Sequence, residues 1–372
     1  MKSFILSLAL GILYCTNLQG QITFRMYGKL RDTIEVDKYE PLDNGYKYVY
    51  LSMKPGSSNI QELKAVELLK NETVVAIDLV YTDYPKGSNF EELNRNRIIE
   101  LYKYLPEVFN KQVIVWRVIK QTGVSRNEEI GNYFHGFVVY FRPLPSNYAE
   151  NQLIENVLAG FTPLQDSTII KVFERNPDWK DMLVVCDVTG SMSPYTAQLL
   201  LWIKANQKLR SMKNIVFFND DDEKSTSETK AKDTSGMWVV SSGKFDKVLE
   251  VAFEAMSKGK HYENNLEAVC KAVAEFPEDK GKIVMIADNW EDPCDMHLVN
   301  FLKAQKVPIR IIVCGVNASF NLNYLDIARA TGGSVHTMEN DLEDLASMKD
   351  GTTFKIGGVK IKLSKGKYYL MN

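Results

Sequence analysis

Cysteine is scarce. The 372 residues hold five, one of them just after an N-terminal apolar run. Cys186, Cys270, Cys294 and Cys314 are too few for a disulfide framework, and no CxxC or Cys/His spacing points to zinc. Cys186 and Cys314 lie in strand-like runs and read as small buried apolar side chains; nothing in the sequence supports a bridge between Cys270 and Cys294. A charge bias is also missing: 45 Lys and Arg against 47 Asp and Glu give a formal charge of −2. That excludes the basic excess of a dedicated nucleic-acid binder. Beyond the first twenty residues no apolar run reaches the ~20 residues that a transmembrane helix needs. Neither a glycine-rich phosphate loop nor a dinucleotide fingerprint is present.

What is present is ordinary globular composition, 45% hydrophobic and 25% charged, at a length that suits about two domains. Residues 1–20, "MKSFILSLALGILYCTNLQG", read as a secretory signal: Lys2, an apolar stretch from Phe4 to Tyr14, then small and polar residues, with cleavage after Gly20. Cys15 leaves a lipoprotein alternative open, although Tyr14 is bulky where acylation sites want a small residue. The expected product is exported: periplasmic, surface-associated or secreted, in the Lys/Asn/Tyr-rich style of a bacterial chain. The sequons at Asn71 and Asn317 matter only in a eukaryotic host.

Residues 21–145 read as a smaller α/β (α+β) domain of unknown role. Strands are expected at 73–81, 113–119 and 133–142, and a helix over 89–109 capped by Asn89, with Ile98, Leu101, Tyr102 and Leu105 on one face. His135 reads as a packed histidine. "PLPSNYAENQ" (143–152) marks a boundary, and 146–180 reads as a linker with two short helices. From 181 to 348 apolar strands alternate with helices, and the strand runs are continuous. That predicts a doubly wound, mostly parallel sheet covered on both faces, with its site at the carboxyl ends of the strands, where Asp187, Asp220 and Asp288 stand. Residues 349–372 form a C-terminal β extension whose lysines, from Lys355 to Lys367, protect edge strands.

The chemistry gathers in "MLVVCDVTGSMSPYT" (182–196). A buried strand ends in Asp187, and Thr189 and Ser191 follow at i+2 and i+4 on a turn that Gly190 permits. One carboxylate and two hydroxyls converging on a point are hard oxygen ligands, suited to Mg²⁺, Mn²⁺ or Ca²⁺. The following helix aims its N-terminal amides at the same place. One loop supplies too few ligands. Asp288 ends the strand expected beside the first and faces the same crevice. His261 reads as a solvated loop residue, and the acidic stretch 219–233 as a solvated loop.

"DVTGSMS" resembles the metal-ion-dependent adhesion site of von Willebrand factor A domains, whose pattern is Asp-x-Ser/Thr-x-Ser. "HYENNLEAV", "IVMIADNWED", "IRIIVCGV" and "LDIARATGGSVHTMENDLEDL" follow that family's order over residues 180 to about 347. The resemblance assigns Asp187, Thr189 and Ser191 to the first metal loop and Asp288 to the third. In the second loop Asn264 fills the place where the family commonly has Thr. It implies a Rossmann-like α/β fold and a divalent cation, Mg²⁺ first, that takes a carboxylate from a partner protein.

Three functions follow. The leading one is an adhesion or protein–protein interaction module that is not an enzyme. A second is a metal-dependent phosphohydrolase of the Asp-x-Asp-x-Thr/Val kind, but Thr189 stands where the general acid belongs. A Ser hydrolase lacks its Gly-x-Ser-x-Gly elbow. The third is a structural envelope protein with a vestigial metal site.

Overall fold

The computed structural model describes residues 33–371, apart from 43–45, 71, 112, 143–145, 165, 208–210, 220–235, 259–263 and 317–318. The export segment with Cys15, Asp220, nearly all of the acidic loop, His261 and the sequon residues Asn71 and Asn317 lie outside the described residues. The chain divides into two compact units, residues 1–143 and 144–372.

In the first unit, strands β1 (Thr33–Val36) and β2 (Lys47–Ser52) are followed by helix α1 (Leu63–Leu69). Then come β3 (Thr73–Thr82), α2 (Glu91–Tyr104), β4 (Val115–Gln121) and β5 (Gly136–Arg142). They form one five-stranded sheet in the order β1-β4-β3-β5-β2. The first three strands run parallel, and β5 and β2 are antiparallel to their neighbours. Strand β3 is buried almost end to end, as a continuous Val/Ile/Leu run in a central strand should be. Several boundaries differ from expectation: β4 lies two residues further on than 113–119, and α2 begins at Glu91 with Phe90 at the N-cap, Asn89 accepting the Glu91 N–H at 2.8 Å. Helix α2 stops at Tyr104 and a 3-10 turn covers Pro106–Phe109, because proline disfavours helical backbone in the residue before it. Strand β5 begins only at Gly136, so His135 precedes it. A side chain at Gly136 would sit 2.1 Å from the Leu51 carbonyl, and its φ of +127° suits glycine alone.

The second unit opens with α3 (Asn147–Leu158) and α4 (Thr168–Arg175). The stretch expected as a linker is therefore part of the core: Ile154, Val157, Ile169, Val172 and Phe173 are buried in it. The alternation continues with β6 (Met182–Asp187), α5 (Ser193–Asn206), β7 (Met212–Phe218), β8 (Met237–Ser241), α6 (Phe245–Met256), α7 (Asn265–Glu275) and β9 (Ile283–Asp288). It ends with α8 (Val299–Ala304), β10 (Ile309–Cys314), α9 (Leu322–Thr331), β11 (Ser334–His336) and β12 (Asp341–Leu342). The seven-stranded sheet has the order β12-β11-β10-β9-β6-β7-β8 and is parallel except at its two edges, β8 and β12. Alternate residues of each central strand enter two different cores. Val184, Cys186, Val284 and Ile286 join the helices α3 to α6. Leu183, Val185, Met285 and Ala287 join α7, α8 and α9.

The lysine-rich tail does not edge this sheet. It forms its own antiparallel meander, β13 (Thr353–Ile356), β14 (Val359–Ser364) and β15 (Lys367–Met371). Ile356, Ile361, Leu363 and Tyr368 are buried in the second core, while Lys355, Lys360, Lys362, Lys365 and Lys367 face solvent. Period-2 alternation is what a one-sided antiparallel sheet requires, so the lysines mark its wet face.

Candidate metal centre

From β6 the chain steps outward to β7 and β8; it then returns to β9 on the other side and steps outward to β10 and β11. The reversal lies between β6 and β9. In open α/β sheets the crevice outside the carboxyl ends of the strands at such a reversal is where ligands sit. Asp187 ends β6 and Asp288 ends β9, and the two strands pair in parallel with Cys186 opposite Ile286. Both aspartates are fully buried.

The loop after β6 joins them. Asp187 Oδ1 accepts the backbone N–H of Thr189 at 2.8 Å, so the carboxylate fixes the turn that carries the hydroxyls. Thr189 Oγ1 and Ser191 Oγ lie 3.3 Å apart, and the Ser191 hydroxyl donates to Asp288 Oδ2. The other oxygen of Asp288 accepts the N–H groups of Trp290 at 2.9 Å and Glu291 at 3.1 Å. Ser193, the last hydroxyl of the series, turns away to Glu150 Oε1 at 2.7 Å and to the Gly190 carbonyl at 2.9 Å. Burial raises the Glu150 carboxyl above its ordinary range, against the opposing Ser193 hydrogen bond.

Asn264 stands one step further out. It precedes α7 as its N-cap, is half-buried, and makes no side-chain capping bond. Its neighbour Asn265 donates to Tyr324 Oη at 3.5 Å, and that hydroxyl donates to the Asp288 carbonyl at 2.8 Å. Asp295 ties the same helix end to the loop after β9 by accepting the Glu267 N–H at 2.6 Å; burial pushes its carboxyl up to about 7. Asn289 holds that loop from beneath, donating to the Ser319 carbonyl at 3.0 Å and accepting the Asn321 N–H at 2.8 Å. The direct bonds therefore unite Asp187, Thr189, Ser191 and Asp288; Tyr324 joins Asn265 to the Asp288 carbonyl, and Asn264 is Asn265's neighbour in the chain.

These residues fit a hard divalent cation. All the donors are oxygens, and the Thr189–Ser191 spacing is close to the ~3 Å edge of an octahedron with 2.1 Å bonds. A serine hydroxyl has one proton and two lone pairs, so Ser191 can donate to Asp288 and still offer a lone pair. Among the described residues no Lys or Arg pairs with Asp288; its partners are a hydroxyl and two amides. Buried charges are otherwise paired or coordinate metals.

Scanned against models of protein families and compared with curated proteins, the chain matches none. The resemblance noted in the sequence rests on its motif and the order of its segments. Among the described residues no helix is long and apolar enough to cross a membrane.

Two constellations went unread in the sequence. Ser334 Oγ lies 2.7 Å from His336 Nε2, and His336 Nδ1 lies 2.8 Å from Asp341 Oδ1. This is the spacing of a Ser–His–Asp relay, but Ser334 and His336 are both buried, with the ring of Trp179 edge-on to the imidazole. Arg175 grips both oxygens of Asp341 at 2.8 Å. Burial lowers the His336 pKa below its ordinary value despite the Asp341 hydrogen bond. The group clamps β11, β12 and α4. In the first unit, buried Asp78 accepts from Arg117, from Tyr39 Oη at 2.8 Å and from Tyr140 Oη at 3.2 Å. The one signal for it is an aspartate in the middle of an otherwise apolar strand, "TVVAIDLVY".

Proposed function

We propose that the second unit is a doubly wound domain of the von Willebrand factor A type that holds a divalent cation, Mg²⁺ in the first place with Mn²⁺ or Ca²⁺ as substitutes. Asp187, Thr189, Ser191 and Asp288 would hold the ion, with Asn264 contributing its carbonyl. The ion would supply a Lewis-acidic position for a carboxylate from outside, and the protein would use it to grip an acidic residue of a partner protein. The observation that carries this reading is Asp288: a fully buried carboxylate at the sheet's topological reversal whose described partners are all neutral. The two loop hydroxyls add no negative charge, which favours an ion still electrophilic toward an outside carboxylate. The reading is not an enzymatic one, since Thr189 offers no general acid beside Asp187. Export to the periplasm, surface or medium rests on the sequence of residues 1–20 alone.

The Ser191–Asp288 and Thr189–Asp187 hydrogen bonds also favour a second reading, in which the loops close on themselves and the chain is a structural envelope protein with a vestigial site. Thermal melting of the full chain in chelator and then in Mg²⁺, Mn²⁺ or Ca²⁺ separates the two. A ligand at 100 times its dissociation constant stabilises the native state by about 2.7 kcal/mol. The wild type should gain that and Asp187→Ala should not. No gain in either protein at millimolar ion would leave the vestigial reading standing.

A further inference from the structure

Arg97, on α2, is fully buried. Its Nε donates to the Ser57 carbonyl at 3.0 Å and its Nη1 to the Val80 carbonyl at 3.2 Å. A guanidinium carries five N–H donors and stays protonated in proteins. Among the described residues no carboxylate pairs with it, and burial alone pushes its pKa down, to about 10, which leaves it cationic at neutral pH. A buried cation with only carbonyl partners is an expensive arrangement.

The side chain lines a cavity of about 220 Å³ together with His135, Tyr81, Tyr84, Phe90 and Leu93. Thr82, the last residue of β3, is also in its wall, so the cavity lies at the carboxyl end of the central strand. Exposed Pro55 and Gly56 form part of its rim. His135 adds no second charge there: burial, then the nearby Arg97, hold its pKa down at about 4. Lys120, opposite Tyr81 on the neighbouring strand, is bridged to Glu35 and Asp83.

We propose that the first unit binds a small organic carboxylate, its two oxygens on the Arg97 guanidinium and its apolar body between Tyr81, Tyr84, Phe90 and Leu93. One guanidinium fork matches one carboxylate in charge and geometry, whereas a phosphate dianion would leave a buried negative charge unmatched. An apolar cavity of about 150 Å³ accepts benzene, so the volume here suits a ring or branched chain plus the acid group. This site is independent of the metal-site reading.

The test is calorimetric titration of the full chain with phenylacetate and with isovalerate, against phenylacetamide and inorganic phosphate. At least one of the two carboxylates should bind, and phenylacetamide at least tenfold more weakly than the better of them. Arg97→Met should abolish binding. Because that variant removes two backbone anchors and risks unfolding, Leu93→Trp serves as the second: it fills the cavity from α2 and leaves the guanidinium in place, and it should abolish binding in a protein whose melting remains cooperative. The proposal is overturned by no carboxylate binding at 10 mM. It is equally overturned by the amide matching the acid, by phosphate matching the better carboxylate, or by binding that survives Leu93→Trp.

Discussion

Asp288→Asn separates a metal ligand from a loop anchor, because the substitution removes charge and keeps shape. The asparagine oxygen can still accept the N–H groups of Trp290 and Glu291 that Asp288 Oδ1 accepts, and its amide can face the Ser191 oxygen. In chelator the wild type holds two buried carboxylates linked through a single loop. Like charges about 5 Å apart at an effective dielectric of about 20 repel by ~3 kcal/mol. Against that relief stands the exchange of charge-assisted for neutral hydrogen bonds, about 1 kcal/mol for each of the three donors. The two effects offset, so the variant in chelator should melt within a few degrees of the wild type, or above it. With saturating Mg²⁺ the order reverses. The wild type gains about 2.7 kcal/mol at 100-fold excess over its dissociation constant, or roughly 5–10 °C for a unit of this size, and the variant gains little. Melting curves of both proteins in chelator and in 5 mM Mg²⁺ give the four values needed. An equal loss of stability in both buffers would refute the argument, since Asp288 would then act only as a loop anchor.

Other perturbations test the fold around this centre and the first unit. His135, with a folded pKa held down at about 4 and an unfolded value of about 6.5, binds its proton more readily when unfolded. The stability that His135 contributes should therefore be complete above pH 6.5 and fall by about 3 kcal/mol between pH 6.5 and 4; in urea melts across that window the stability of the wild type relative to His135→Gln should fall by that amount. Gly332 ends α9 in the left-handed conformation with open space around it, whereas a side chain on Gly333 would sit 1.9 Å from the Ile309 carbonyl. Gly332→Ala should cost about 1 kcal/mol, and Gly333→Ala more than about 4 kcal/mol by forcing β10 from β11, both measured by denaturant unfolding. Arg117→Met leaves Asp78 buried on its tyrosines and should cost about 3 kcal/mol; in a double-mutant cycle Asp78→Asn should recover a large part of it.

The second unit was legible because its strands advertise themselves. "LVVCD", "IVMIAD" and "IRIIVC" are continuous apolar runs with a helix between each pair, and such runs fit only strands buried on both faces. The ends of those runs gave the positions of Asp187 and Asp288 directly. Hydrogen bonds between elements distant in sequence could not be read. Nothing in "NNLEAV" says that Asn265 reaches Tyr324, and nothing in "SNYAENQ" says that Glu150 takes the Ser193 hydroxyl. In the stretch 146–180 the apolar residues Ile169, Ile170 and Phe173 announce a helix packed on the neighbouring domain, and Ile169 and Phe173 are buried there; what short helices after a proline-punctuated start do not reveal is that they belong to that core and not to a linker. Arg97 escaped notice for a simpler reason: on a helix, an arginine among Asn, Glu and Arg reads as solvated, and only the Ser57 and Val80 carbonyls reveal that it points inward.

On the proposed metal reading, the hydroxyls of the first loop let the site fold before any ion arrives. A third carboxylate at Thr189 or Ser191 would bind a cation more tightly, but it would place three buried negative charges around one loop in the apo protein, at a cost of several kcal/mol. Ser191 avoids this by serving two roles with one group. Its proton satisfies Asp288, so the loop folds without the ion, and its lone pairs remain for coordination. The proposed site would therefore exchange metal without unfolding, and Ser191→Ala should weaken Mg²⁺ binding while Ser191→Asp tightens it and lowers the chelator melting point. Titration calorimetry for the ion and melting in chelator measure the two effects separately. A Ser191→Asp variant that melts like wild type in chelator would show that the loop tolerates the charge and that this account of the hydroxyls is wrong.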